Sequence, residues 1–98
     1  MSTKTVRFTD KGIASIPNDK PVVYKIETES GRNNYTGIAQ RGRVQDRLRE
    51  HLPGARDPVP GAKVHIEQMP SIDEARAKEA RILRRSSPPH NKQGTGNR

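Results

Sequence analysis

Cysteine and tryptophan are both missing from this chain of 98 residues. Without cysteine there can be no disulfide and no thiolate metal site, and cysteine usage says nothing about compartment. Aromatic residues are nearly absent too, being limited to Phe8, Tyr24 and Tyr35. Hydrophobic residues make up 29% of the chain, and no apolar run is long enough to form a transmembrane helix. The opening stretch, Met1 to Asp10, lacks the apolar core of a secretory signal, so a soluble cytoplasmic protein is the expectation. A chain of this length buries only about two-thirds of the surface its unfolded form exposes, so the core is thin and every buried polar group needs a reason.

What the chain does have is positive charge. Nineteen Lys and Arg stand against 11 Asp and Glu, a net +8 at pH 7, which favours an anionic partner such as nucleic acid. Charge alone does not separate binding from cutting.

The apolar residues fall into short periodic blocks separated by Pro and Gly, which implies one ordered domain with looser ends. Residues 1–20 hold a short strand-like piece, Thr5-Val6-Arg7-Phe8, then Gly12 and Pro17, and read as an N-terminal arm. From Pro21, Val22 to Glu27 alternates as a strand with Val22, Tyr24 and Ile26 on one face. The turn formers Ser30 to Asn34 then return the chain as a hairpin partner, Tyr35 to Ala39. Val44, Leu48 and Leu52 stand at helical spacing, giving a helix over 42–52 that Pro53-Gly54 ends. Residues 62–69 alternate with Val64 and Ile66 inward, a third strand. Ser71-Ile72-Asp73-Glu74 matches a reciprocal capping box that opens a second helix through Arg85, stopped by Pro88-Pro89. The expected fold is α+β: a small three-stranded, mostly antiparallel sheet flanked by helices over residues 21–91, with a flexible basic tail at 92–98.

Three features carry chemistry. Glu79 stands four residues after Ala75 and shortly before Ile82 and Leu83, so helical geometry puts a carboxylate on the apolar stripe. An unpaired buried charge there costs several kcal/mol or more, so the group sits at the rim, pairs with a cation or holds a metal. Arg47 and His51 are four apart and flank the stripe of the first helix. There an Arg snorkelling over the core and a His at a helix C-terminus is an equally good reading. Tyr24 and Tyr35 stand on neighbouring strands either as core tyrosines or, beside cations, as phenols shifted toward ionisation and able to take a proton from water.

Together the spacing is distinctive. Val22-Val23-Tyr24, ten intervening residues and Tyr35-Thr36-Gly37 resemble the paired tripeptides that name the GIY-YIG nuclease family. Arg47-Leu48-Arg49-Glu50-His51 resembles its Arg-x-x-x-His helix, and Glu79 with Pro88 and Asn91 resembles its closing Glu, Pro and Asn. Val22 and Thr36 depart from the family tripeptides without removing a functional group. The stretch from Gly37 to Arg47 is longer than the family pattern and leaves Arg43 as the alternative to Arg47.

The resemblance implies a metal-dependent endonuclease that hydrolyses phosphodiester bonds of DNA, with RNA left open, nicking or cutting single-stranded or structured DNA. Its site would comprise Tyr24, Tyr35, Arg47, His51, Glu79 and Asn91, with Glu79 holding a single Mg²⁺ or Mn²⁺. One carboxylate suffices because Mg²⁺ keeps several waters and takes substrate phosphate as a further ligand. Tyr24 would help deprotonate the attacking water, assisted by Tyr35 or His51, and Arg47 would neutralise the scissile phosphate. Lys25 would raise the local potential and Gly37 would let substrate approach the strand. Arg41, Arg43, Arg49, Arg81, Arg84 and Arg85 would grip phosphates without reading bases. One site per chain implies a monomer or weak dimer, with sequence choice left to an attached domain or partner. The alternatives are a catalytically inactive nucleic-acid-binding module of the same fold and a ribosomal-type RNA-binding protein, which accounts for the charge but not for the spacing.

Overall fold

The computed structural model describes residues 3–85, so Pro88, Asn91 and the tail expected at 92–98 lie outside the described residues. Seven elements follow one another: β1 (Thr3–Arg7), α1 (Asp10–Ala14), β2 (Val22–Glu27), β3 (Asn33–Ala39), α2 (Val44–Arg49), β4 (Lys63–Gln68) and α3 (Ile72–Arg85). The strands form one sheet in the order β1-β4-β2-β3, and every neighbouring pair is antiparallel. This is a small α+β domain with a four-stranded sheet, one strand more than the sequence pattern implies. Among the described residues no helix is long and apolar enough to cross a membrane.

The additional strand comes from the expected arm. β1 pairs with β4 through Thr3↔Glu67 to Arg7↔Lys63 and makes one edge of the sheet. Thr9 then caps α1, its hydroxyl accepting from the Gly12 N–H at 3.0 Å. Phe8, Ile13 and Ile16 all enter the main core, so the domain begins at β1 rather than at Pro21.

Alternation along β2 assigns the two faces. Val22, Tyr24 and Ile26, with Val64 and Ile66 of β4, pack under Ile13, Ile16, Val44 and Leu48 of the α1–α2 layer. Val23 faces the other way and packs with Met69 and Ala75, flanked by Ile38, Ile72 and Ile82. Helices therefore cover both faces, with α3 packed on β3 and β2. Ser71 caps α3 as its sequence implies, its hydroxyl accepting from the Glu74 N–H at 3.2 Å. Lys78 pairs with Glu67 of β4 and ties the helix to the sheet.

The β2–β3 hairpin turns at Gly31, whose φ of 91° favours glycine. The Thr28 N–H donates to the Arg32 carbonyl and the Gly31 N–H to that of Thr28, both at 2.9 Å, closing the turn. Its register sets Tyr24 opposite Gly37 and Ile26 opposite Tyr35, which brings both tyrosines to one face.

The first helix differs from expectation in a way that matters for the site. Instead of about three α-helical turns over 42–52, α2 ends at Arg49. Beyond it the His51 N–H donates to Leu48 at 3.0 Å and the Leu52 N–H to Arg49 at 3.2 Å, the i to i−3 pattern of a 3₁₀ turn. In that winding residues three apart eclipse, so His51 falls in line with buried Leu48 rather than with Arg47. His51 is only 2% exposed, whereas the Arg47 side chain is 43% exposed.

Because Ile13 is fully buried in the main core, Ile13→Ala is expected to destabilise the domain by about 2–5 kcal/mol in denaturant unfolding. A loss within about 0.5 kcal/mol, as for a surface position, would mean that the N-terminal segment is dispensable.

Candidate active site

Three rings meet on the α2 side of the sheet, at the β3 end of the strand order. Tyr24 and Tyr35 stack with centroids 6.1 Å apart and planes 21° from parallel. His51 tilts against both, 4.7 Å from the ring of Tyr35 and 5.9 Å from that of Tyr24. Room for this stack exists because residue 37 is glycine: a β-carbon there would lie 2.7 Å from the Tyr24 hydroxyl oxygen and 2.9 Å from Tyr35 Cε1. The space that Gly37 leaves is filled by the protein's own phenols, whereas the family resemblance assigned it to approaching substrate.

The polar atoms of the cluster are joined in sequence. His51 Nδ1 is 2.9 Å from the backbone carbonyl oxygen of Asp57 and its Nε2 is 3.0 Å from the Tyr24 hydroxyl. A carbonyl can only accept, so Nδ1 donates and the neutral ring presents a lone pair at Nε2. The Tyr24 O–H therefore donates to His51. Two loop bonds hold the Asp57 carbonyl in place: the Asp57 N–H donates to Glu50 and the Val59 N–H to His51, each at 2.9 Å. The Asp57 carboxylate stands 3.9 Å from Nδ1, where it can follow a positive charge on the imidazole.

Burial holds the Tyr24 phenol well above its usual pKa; the charge of Tyr35 and, more weakly, that of Glu79 act in the same direction, and Arg47 opposes them. Tyr35 is raised as well, again chiefly by burial with Arg47 opposing. Of the two readings the sequence left open, core tyrosines or phenols drawn toward ionisation by nearby cations, the shifts favour the first, because desolvation outweighs the guanidinium. Tyr24 has no exposed surface and Tyr35 is half-buried, so Tyr35 is the outer phenol and Tyr24 the inner one.

The same electrostatics locate two further residues. Arg47 of α2 and Glu79 of α3 act on both phenols, although α3 lies on the other face of the sheet. Glu79 is half-buried, and Ile72, Arg76, Glu79 and Ile82 follow one another along one side of α3 at helical spacing. Among the described residues no three His, Cys, Asp or Glu side chains gather closely enough to hold a metal. A divalent ion here would have one protein carboxylate, Glu79, with water and phosphate oxygens completing its shell, a donor set that suits Mg²⁺.

The predicted residues thus separate. Tyr24, Tyr35 and His51 meet in one cluster, Arg47 and Glu79 lie within electrostatic reach of both phenols, and Asn91 lies outside the described residues. By register Lys25 faces the α3 side of the sheet, away from the Tyr24 ring. Arg49 is held by Asp10 of α1 at 2.7 Å and ties the two helices of that layer. Arg41, Arg81, Arg84 and Arg85 are exposed. Sequence reasoning missed the Asp57 carbonyl, which has no side-chain signature. It also missed Arg76, although its place one helical turn before Glu79 was a usable signal.

No family model, curated protein or solved structure matches this chain, so the chemistry of the site is argued from its geometry. The chain has two tyrosines and no tryptophan, so its near-ultraviolet tyrosinate absorbance reports on these two phenols alone. Both pKa values are raised on folding, so the unfolded chain loses these protons first, and the stability they contribute is complete below pH ~10 and falls as pH rises past it. Little tyrosinate is expected while the protein stays folded, and most should form as it unfolds in alkali. Full ionisation of both residues near pH 10 in the folded protein would show that the phenols are not desolvated.

Proposed function

We propose that this domain is a divalent-metal-dependent endonuclease that hydrolyses phosphodiester bonds of DNA at the Tyr24, Tyr35 and His51 cluster. The observation that carries this reading is the oriented chain from Tyr24 through His51 to the Asp57 carbonyl, placed where Arg47 and Glu79 act on the same two phenols. A core tyrosine needs only one hydrogen-bond partner. Here its partner is an imidazole with a lone pair aimed at the hydroxyl and a carboxylate behind it, an arrangement suited to moving a proton.

Neutral phenols take part as relays. As water attacks phosphorus and the bond to the leaving sugar oxygen breaks, the water's proton passes to the Tyr35 oxygen, Tyr35 passes its own to Tyr24, and Tyr24 passes its proton to His51 Nε2, while the leaving oxygen takes a proton from solvent. No phenolate persists, which fits the raised pKa of both tyrosines. The imidazolium that results is stabilised by the Asp57 carbonyl at 2.9 Å and its carboxylate at 3.9 Å. Arg47, partly exposed and only loosely paired with Glu50 at 3.5 Å, turns its guanidinium to the scissile phosphate as charge develops. A divalent ion held by Glu79 would supply charge neutralisation at the phosphate and lower the pKa of the attacking water. Outer cations Arg41, Arg81, Arg84 and Arg85 extend the positive surface along which a strand lies.

The test is cleavage of end-labelled single-stranded, duplex and branched DNA with Mg²⁺ or Mn²⁺ against EDTA. Wild type is expected to cut at least one of the three only with metal. Glu79→Gln should abolish cutting while binding in EDTA survives, and His51→Ala should lower kcat by about 10²–10⁴. Salt-sensitive binding without turnover on any substrate, or full cleavage by Glu79→Gln, rejects the assignment.

A further inference from the structure

Next to the ring cluster lies a cleft of about 290 Å³ whose walls carry three arginines from three places in the fold. Arg43 immediately precedes α2, Arg47 lies within it, and Arg76 comes from α3. Among the described residues no carboxylate lines the cavity; Gln40 adds a neutral polar group, and Ile38 and Ile72 supply an apolar wall. The existing partners are weak: Arg43 is 3.8 Å from Asp46 with both side chains more than half exposed, and Arg47 is 3.5 Å from Glu50. Arg76 has no ion pair among the described residues. Three like charges around one concavity repel one another unless an anion sits among them, and guanidinium forks are suited to phosphate.

Size and position narrow the ligand. The cavity falls at the lower bound of small-molecule pockets, about 300 Å³, which leaves room for one nucleotide unit and not for a duplex. Arg47 belongs both to the cleft and to the electrostatics of the two phenols, so the two sites adjoin. We infer that the cleft is a phosphate subsite seating the nucleotide next to the one cleaved, its phosphate on Arg43 and Arg76 and its sugar against Ile38 and Ile72. The inference rests on the nuclease reading, to which it adds that the enzyme grips a single strand across two neighbouring phosphates, one at Arg47 and one in the cleft. Contacts to phosphate and sugar carry no base information, so the subsite sets register without sequence choice.

The experiment measures binding of a fluorescent oligothymidylate in EDTA across a salt series, with inorganic phosphate as competitor, for wild type, Arg43→Ala, Arg76→Ala and Arg32→Ala. Arg32 serves as the control because it lies in the hairpin turn, at the opposite end of β3 from the cleft. Arg43→Ala and Arg76→Ala are each expected to weaken binding about tenfold or more and to lower the salt slope by about one, with Arg32→Ala unchanged. In parallel cleavage assays with Mg²⁺, Arg76→Ala should raise KM and leave kcat near wild type. Wild-type affinity and slope in both cleft variants overturn the subsite even if DNA is still cut. Weakened binding in a protein whose wild type cuts nothing keeps the subsite and removes the nuclease reading.

Discussion

A single backbone carbonyl sets the orientation of the hydrogen bonds in the ring cluster. Because the Asp57 oxygen can only accept, it holds the proton of neutral His51 on Nδ1 and leaves Nε2 to receive the Tyr24 hydroxyl. Had the loop presented an N–H in its place, the ring would carry its proton on Nε2 and the Tyr24 hydroxyl would accept instead of donating. Everything that positions the loop therefore acts on the direction of the Tyr24–His51 hydrogen bond. The thin core of a small domain accommodates this polar chain because it is closed: no buried side-chain nitrogen or oxygen among the described residues lacks a hydrogen-bond partner.

The fold supplies the remaining geometry through two constraints. Antiparallel pairing sets Tyr24 across from Gly37, and the missing β-carbon lets the phenol lie over the neighbouring strand and stack on Tyr35. Helices on both faces then bring charges of opposite sign to the same pair of rings, Arg47 from α2 and Glu79 from α3. The opposition is functional on the proposed reading, since a cation is needed at the phosphate and an anion at the metal. Both phenols are held toward the protonated form, because Arg47 does not overcome their desolvation, which Glu79 reinforces.

Much of this was legible in the residues, for identifiable reasons. Strand alternation is a local signal, so β2, β3 and β4 and their inward faces follow from Val22, Tyr24, Ile26, Val64 and Ile66. The Ser71 cap is local too. The strand-like piece Thr5-Val6-Arg7-Phe8 was legible but its place in the sheet was not, because its partner is remote, Thr5 lying against His65, and an exposed edge strand buries too little to show alternation. Helix α1 has only five residues, too few for a helical period. His51 was grouped with Arg47 for an incomplete reason. Spacing of four put it beside Arg47, whereas the 3₁₀ turn places it over Leu48 and into the core. The proposed catalytic positions were identifiable as a group only through family resemblance; the structure joins Tyr24, Tyr35 and His51 and sets Arg47 and Glu79 within electrostatic reach of both phenols.

The central claim is that Tyr24 donates to a His51 ring whose tautomer is imposed by the Asp57 carbonyl. Long-range proton–nitrogen correlation NMR of the metal-free protein tests it most directly. For the neutral ring the account predicts a protonated Nδ1 and an unprotonated, hydrogen-bonded Nε2, with Tyr24→Phe moving the Nε2 resonance toward that of a free imidazole nitrogen and leaving Nδ1 protonated. A neutral ring protonated at Nε2, or an Nε2 resonance that Tyr24→Phe does not move, would contradict it.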